Sequence, residues 1–176
     1  MLFSDRSVLT MLHGLVLSGG ALMAMAAALF ALRAMAMPDG MIVPARQSTS
    51  FAWLSIAIAV LLWLSVLVGT YVIFPQYRAT PPDGVGALAA YPRALLMSNP
   101  DTRWLHTFAM EIKEHVPWIA AMLATATAFV GVRYRSTLLA DAALRRMTAS
   151  LLTIGFALVS FVALLGVFVN KIAPLE

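Results

Sequence analysis

Three histidines, His13, His106 and His115, are the side chains of this sequence best suited to chemistry. The chain has no cysteine, which excludes disulfides, thiolate metal sites, iron–sulfur clusters and cysteine nucleophiles. Any chemistry therefore has to use an imidazole, a carboxylate or a cofactor held without a covalent link. Neutral imidazoles ligate haem iron and other metals, so the histidines define the first candidate site.

The segment around His115 carries the most polar chemistry. Glu111 precedes His115 by four residues, which places both side chains on one helix face. The Glu111 carboxylate is therefore predicted to accept the imidazole N–H and to fix its tautomer. Pro117 lacks the N–H that would pair with the Lys113 carbonyl, which predicts a kink below His115. His106, nine residues earlier, falls near the opposite face and is predicted to contact headgroups or a loop.

His13 and His115 are predicted to reach similar depth in a membrane, because both enter it from the same side near the ends of apolar segments. Two imidazoles at one depth on different helices of a bundle are what a b-type haem requires. The sequence thus predicts haem b ligated by His13 and His115, with Gly20 beneath His13 as a place for the flat macrocycle and Glu111 orienting His115. The sequence favours purely structural polar contacts for these histidines over haem, and a small metal ion at the same histidines is the third interpretation.

The elements that position these residues are four long apolar runs without a charged side chain. The runs have about 25, 24, 17 and 24 residues and cover positions 8–32, 51–74, 116–132 and 147–170. A spanning helix needs about 20 such residues, so the third run has to borrow turns around His115. Hydrophobic residues make up 61% of the chain and charged residues only 11%, far below the quarter or so that is usual in soluble domains.

The predicted fold class is all-α: a single polytopic membrane domain over residues 1–176, built as a four-transmembrane-helix bundle. The third helix is extended and kinked at Pro117, and an ordered outer loop lies between the second and third helices. Turn-forming residues in this loop favour turns and extended backbone over helix. The predicted helices cover about residues 8–33, 51–74, 101–132 and 147–170, and the loop covers about 75–100.

The basic residues indicate topology and not nucleic-acid binding. The pI near 10 comes from arginines dispersed at helix ends, with no basic run interleaved with aromatic residues. The shorter connections hold dense positive charge, above all the hairpin with Arg133, Arg135, Arg145 and Arg146. Such charge is retained in the cytoplasm, which predicts a bacterial inner membrane protein with both termini and the outer loop on the periplasmic side.

Three functions are compatible with these features, and none of them rests on a family resemblance. The favoured one is a non-catalytic integral subunit of a larger, energy-transducing complex of the respiratory or photosynthetic kind, in contact with lipid and other membrane subunits. The second is a b-type cytochrome-like electron-transfer subunit with one outer-side haem. The third is a small transporter or proton pathway, disfavoured because no broken or charged segment lies at mid-bilayer. The architecture is similar, at the level of fold alone, to four-helix membrane cytochromes and small accessory subunits.

Overall fold

The computed structural model describes residues 4–36, 38, 41–42 and 44–174 and contains no strand among them. Four helices are long and apolar enough to cross a membrane: α1 (Asp5–Ala34), α2 (Ala45–Tyr77), α4 (Leu105–Arg133) and α5 (Ala142–Ile172). A short helix, α3 (Pro92–Ser98), lies in the connection between α2 and α4. The chain is therefore an integral membrane protein built as an all-helical bundle.

The core of the bundle is built from small side chains that let the helices approach closely. α4 packs mainly against α2 and α5, and its interior face is Ala120, Ala121, Ala124 and Gly131. A Cβ at Gly131 would lie 2.6 Å from the Ser55 Oγ atom, so α2 and α4 touch where only glycine fits. Close backbone packing of this kind stabilises helix association in lipid, where the hydrophobic effect between helices is weak.

The two ends of the bundle differ. The loop end carries the first turn of α1, the connection with α3, and the last turn of α5. A second hydrophobic cluster there contains Tyr77, Leu96, Leu105 and Val169, so α3 packs onto the spanning helices. The hairpin end carries the connections between α1 and α2 and between α4 and α5.

Several predicted boundaries move, each for a local reason. α4 begins at Leu105 and not near 101, because the Asn99 side chain accepts a hydrogen bond from the Asp101 N–H and holds a turn there. α5 begins at Ala142, five residues earlier than predicted, because Asp141 caps its first N–H groups. α2 extends at both ends, to Ala45 and Tyr77.

The connection at the loop end contains a helix that the turn-rich sequence did not predict. α3 begins at Pro92, whose fixed φ and missing N–H suit the first helical position. The Thr102 hydroxyl donates to the Leu96 carbonyl at 2.9 Å and so ties the end of α3 to the turn before α4. Helix α4 is continuous from Glu111 through Pro117 to Arg133, and the kink at Pro117 stays a prediction.

Candidate functional site

Three of the four spanning helices contain π-helical turns, all at or near the loop end. These turns are Leu12–Gly19 in α1, Gly69–Ile73 in α2 and Leu105–Met110 in α4. Each π turn holds one more residue than an α turn, which displaces the side chains that follow it around the helix axis. Such turns are frequent at functional sites, and the polar side chains discussed below lie in or next to them.

His13 lies in the π-helical part of α1 and faces α2. Its ring rests against Gly69, where a Cβ atom would come within 2.9 Å of Cε1 and 3.4 Å of Nε2. Its Nδ1 atom is 3.4 Å from the Ser65 Oγ atom. The Ser65 hydroxyl also pairs with the Ser18 hydroxyl at 2.8 Å, and Ser18 donates to the His13 carbonyl at 3.0 Å. The imidazole therefore lies against a glycine and next to a pair of hydroxyls.

Lys113 adds a cation to the same level of the bundle. Its Nζ atom approaches α5, where a Cβ at Gly166 would lie only 2.8 Å away. Its charge is also close enough to act on His13. Within the part of the chain that the structure describes, Nζ has no hydrogen-bond or ion-pair partner. We call four residues the interior polar cluster: His13, Ser18, Ser65 and Lys113. Within this cluster, the Lys113 cation has no counter-ion among the described residues.

Glu111 and His115 lie on a different face of α4, exposed at the surface of the bundle. The His115 Nδ1 atom is 2.8 Å from the main-chain carbonyl of Glu111. Because a carbonyl only accepts, Nδ1 is the donor, and in the neutral imidazole Nε2 is then the acceptor nitrogen. The acceptor is thus the main chain of Glu111 and not the carboxylate that the sequence predicted.

The structure places the predicted haem residues in separate surroundings. No contact within the described residues joins His13 to His115, and His115 lies about 200° around the helix from Lys113, which approaches α5. Gly20 faces α2, where its Cβ position is 3.8 Å from the Leu61 side chain. No group of three or more histidine or acidic side chains suited to a metal ion occurs among the described residues. Haem ligation by His13 and His115 stays a prediction.

His106 links the spanning helices at the loop end. Its Nδ1 atom lies 2.9 Å from the hydroxyl of the buried Tyr77, and the two rings are 5.9 Å apart. The pair joins the start of α4 to the last turn of α2, next to the cluster on which α3 packs. This contact connects two helix ends, in the region where the sequence predicted a headgroup or loop contact.

The sequence did not predict that Lys113, Ser65 and the glycines contribute to the surroundings of His13. One signal was available: Lys113 precedes Ala120 by seven residues and Ala124 by eleven, the spacing of a single helix face. Ala120 and Ala124 are buried, so a lysine in register with them points toward the bundle. The approach of Gly69 to His13 leaves no such signal, because it depends on how α1 and α2 cross.

The fold and the site define a class of protein: a four-helix integral membrane protein with a polar cluster between its helices near one end. No protein-family model, curated protein sequence or solved structure matches the chain.

Proposed function

We propose that this protein is a non-catalytic integral subunit of a larger membrane assembly and that the exposed face of α4 at the loop end docks against a neighbouring subunit. We further propose an energy-transducing assembly of a bacterial inner membrane, with both termini on the periplasmic side. The orientation is supported by the arginine-rich connection at the hairpin end.

The observation that carries the docking proposal is an exposed face of α4 that holds both polar and large apolar side chains. Phe108 is 55% exposed, and Glu111 and His115, three and seven residues further on, are exposed in line with it. Ile119 and Met122 continue the same face toward the hairpin end. The face therefore offers a partner both apolar and polar contacts.

The position of this face relative to the hydrocarbon layer favours a protein partner over lipid tails as its neighbour. α4 has 29 residues and is therefore about 43 Å long, against about 30 Å for the hydrocarbon layer. Because the charged Arg133 ends the helix at the hairpin end, most of the excess of about 13 Å lies at the loop end. Phe108 falls in this excess and has no polar atom to offer the headgroups. An apolar partner surface would cover it.

Photo-crosslinking in native membranes tests the proposal. A photoreactive phenylalanine analogue at Phe108 should give a discrete adduct with another polypeptide. The matched control is the same analogue at Phe30, an exposed side chain within the span of α1, where lipid is the expected neighbour. Recovery of a monomer in several mild detergents, with no polypeptide adduct at Phe108, would contradict the proposal.

A charge reversal gives a second test of the same surface. Glu111→Lys should release the protein from its assembly during gentle extraction, because it places a new charge in the contact. Asp101→Lys is the control, since Asp101 is an exposed acid at the same end of the bundle but lies in the turn before α4. Loss of the assembly with both variants would indicate a general charge effect and would count against docking through α4.

A b-type electron-transfer subunit is the second candidate function, and one feature of His115 favours it. Its Nδ1–H donates to a main-chain carbonyl, so the tautomer of the neutral imidazole leaves Nε2 for a ligand, which is the usual arrangement of a histidine that ligates a metal. For His13 to be the other ligand, its ring would have to leave Gly69. An oxidised and reduced visible spectrum of native protein tests this. A low-spin haem signal lost with His13→Ala or His115→Ala, but kept with His106→Ala, would support it.

A further inference from the structure

A shallow groove of about 590 Å³ runs along α4 at the hairpin end of the bundle, away from the interior polar cluster. It is open to the surroundings and not enclosed. The residues that line it are Thr125, Ala128, Phe129, Val132, Arg133 and Arg135.

The lining divides into an apolar wall and a cationic rim. The wall is one face of the last two turns of α4, formed by residues at positions 125, 128, 129 and 132. The rim is Arg133, the last residue of α4, and Arg135, just beyond it. The Arg133 guanidinium lies 5.5 Å from the centroid of the Tyr134 ring, which in turn packs edge-on against Phe129. These two ring contacts join the rim to the wall.

The charge at this end of the bundle selects an anion. Arg33, Arg46, Arg133, Arg135, Arg145 and Arg146 lie there, whereas the described residues contribute only one acid, Asp141. The Asp141 carboxylate already accepts hydrogen bonds from the Ala143 and Leu144 N–H groups at the start of α5. The groove along α4 is lined by arginine and by no acid, so no carboxylate there would repel an anionic headgroup.

We propose that this groove is a binding site for an anionic phospholipid, with the phosphate held by Arg133 and Arg135 and an acyl chain lying along Val132, Phe129 and Ala128. The apolar wall extends into the span of α4, where lipid tails are, and the rim lies at its end, where headgroups are. Guanidinium groups bind phosphate oxygens in a bidentate way, which suits two arginines at the mouth of a groove.

A neighbouring groove shows why the arginines alone do not make the site. It is lined by Met41, Ser136, Thr137, residues 140–143 and Arg146, and it includes Asp141. The Asp141 carboxylate would repel a phosphate there. This groove also reaches only the start of α5, at Ala142, Ala143 and Arg146, so it offers no long apolar wall for an acyl chain.

Lipid retention by the purified full-length protein tests the proposal. Protein exchanged into nanodiscs of phosphatidylcholine with added phosphatidylglycerol is returned to detergent, and the lipids that remain bound are counted by native mass spectrometry. Wild type should retain phosphatidylglycerol in preference to phosphatidylcholine. The double variant Arg133→Gln, Arg135→Gln should weaken this retention by at least about tenfold, since each arginine near a charged lipid surface contributes several-fold.

The matched control is Arg33→Gln, Arg46→Gln, which removes the same charge from the same end but leaves the groove intact. Equal loss of phosphatidylglycerol in both double variants would overturn the site and leave only a diffuse electrostatic effect. Inorganic phosphate added in excess should not displace the lipid, because it has no acyl chain to occupy the wall. Displacement by inorganic phosphate, or equal retention of both lipids by wild type, would also overturn the proposal.

Discussion

The imidazole of His13 and the main chain of Gly69 are in direct contact across α1 and α2, so close that a Cβ at position 69 would lie 2.9 Å from the His13 Cε1 atom. The contact limits which way the ring can face, because the hydroxyl of Ser65, four residues before Gly69 on α2, lies 3.4 Å from Nδ1. Any function of His13 therefore depends on a residue that carries no side chain.

Gly69→Ala should destabilise the bundle and displace the His13 ring. Overpacking at a close contact costs about 1–3 kcal/mol, and the Ser65 hydroxyl leaves the ring little room to move. Thermal unfolding in detergent measures the effect. Gly14→Ala is the control, since a Cβ at Gly14 meets nothing within 4 Å. Equal melting temperatures for Gly69→Ala and wild type would show that the contact does not restrict the position of the His13 ring.

Lys113→Met should leave the bundle equally stable or make it more stable. The change removes a cation that has no ion-pair partner among the described residues and keeps the unbranched side chain that packs beside Gly166. Unfolding in detergent compares it with Lys171→Met, an exposed lysine at the same end of the bundle. A marked loss of stability with Lys113→Met alone would mean that the ammonium has a favourable partner in the membrane-bound protein.

Gly131→Ala should destabilise the packing of α2 against α4 by about 1–3 kcal/mol, because the new methyl group would overlap the Ser55 hydroxyl. Ser55→Ala in the same chain should restore part of the loss, since it removes the atom 2.6 Å away. A double-mutant cycle on the unfolding free energy measures the coupling. Additive effects of the two changes would contradict the contact.

Tyr77→Phe should loosen the loop end without unfolding the bundle. It removes the hydrogen bond to His106, which contributes about 1 kcal/mol in typical cases, and keeps the buried ring in place. Hydrogen exchange should rise in α3 and in the first turn of α4. Tyr71→Phe is the control, because Tyr71 is exposed on the same helix. Unchanged exchange in Tyr77→Phe would show that the pair does not hold the loop end together.

The orientation can be tested with single cysteines, since the natural chain contains none. A cysteine at Gly84, in the connection at the loop end, should react with an impermeant reagent on sealed cells. A cysteine at Ser136, exposed at the hairpin end, should react only after the membrane is opened. The reverse pattern would place the termini in the cytoplasm.

The four spans followed from the sequence because uncharged apolar runs of this length have few other stable arrangements in a cell. The ends of the helices were harder to predict. Asp141 caps α5 five residues before the apolar run begins, and Pro92 starts a helix in a segment rich in turn formers. The surroundings of His13 could not be predicted, because the approach of Gly69 depends on the crossing of two helices and on π turns that composition does not reveal.

The π turns also change which residue spacing places two side chains on one helix face. This spacing therefore differs between the loop end and the hairpin end of the bundle. Converting one π turn to an α turn would release one residue and rotate the loop-end part of that helix by about 100° relative to the part below it. For α1, the π turn covers Leu12–Gly19, so such a rotation would carry His13 away from Gly69 together with Asp5 and Arg6, while Gly20 and the residues below it keep their places. The contact of His13 with Gly69 therefore depends on the extra residue of this turn.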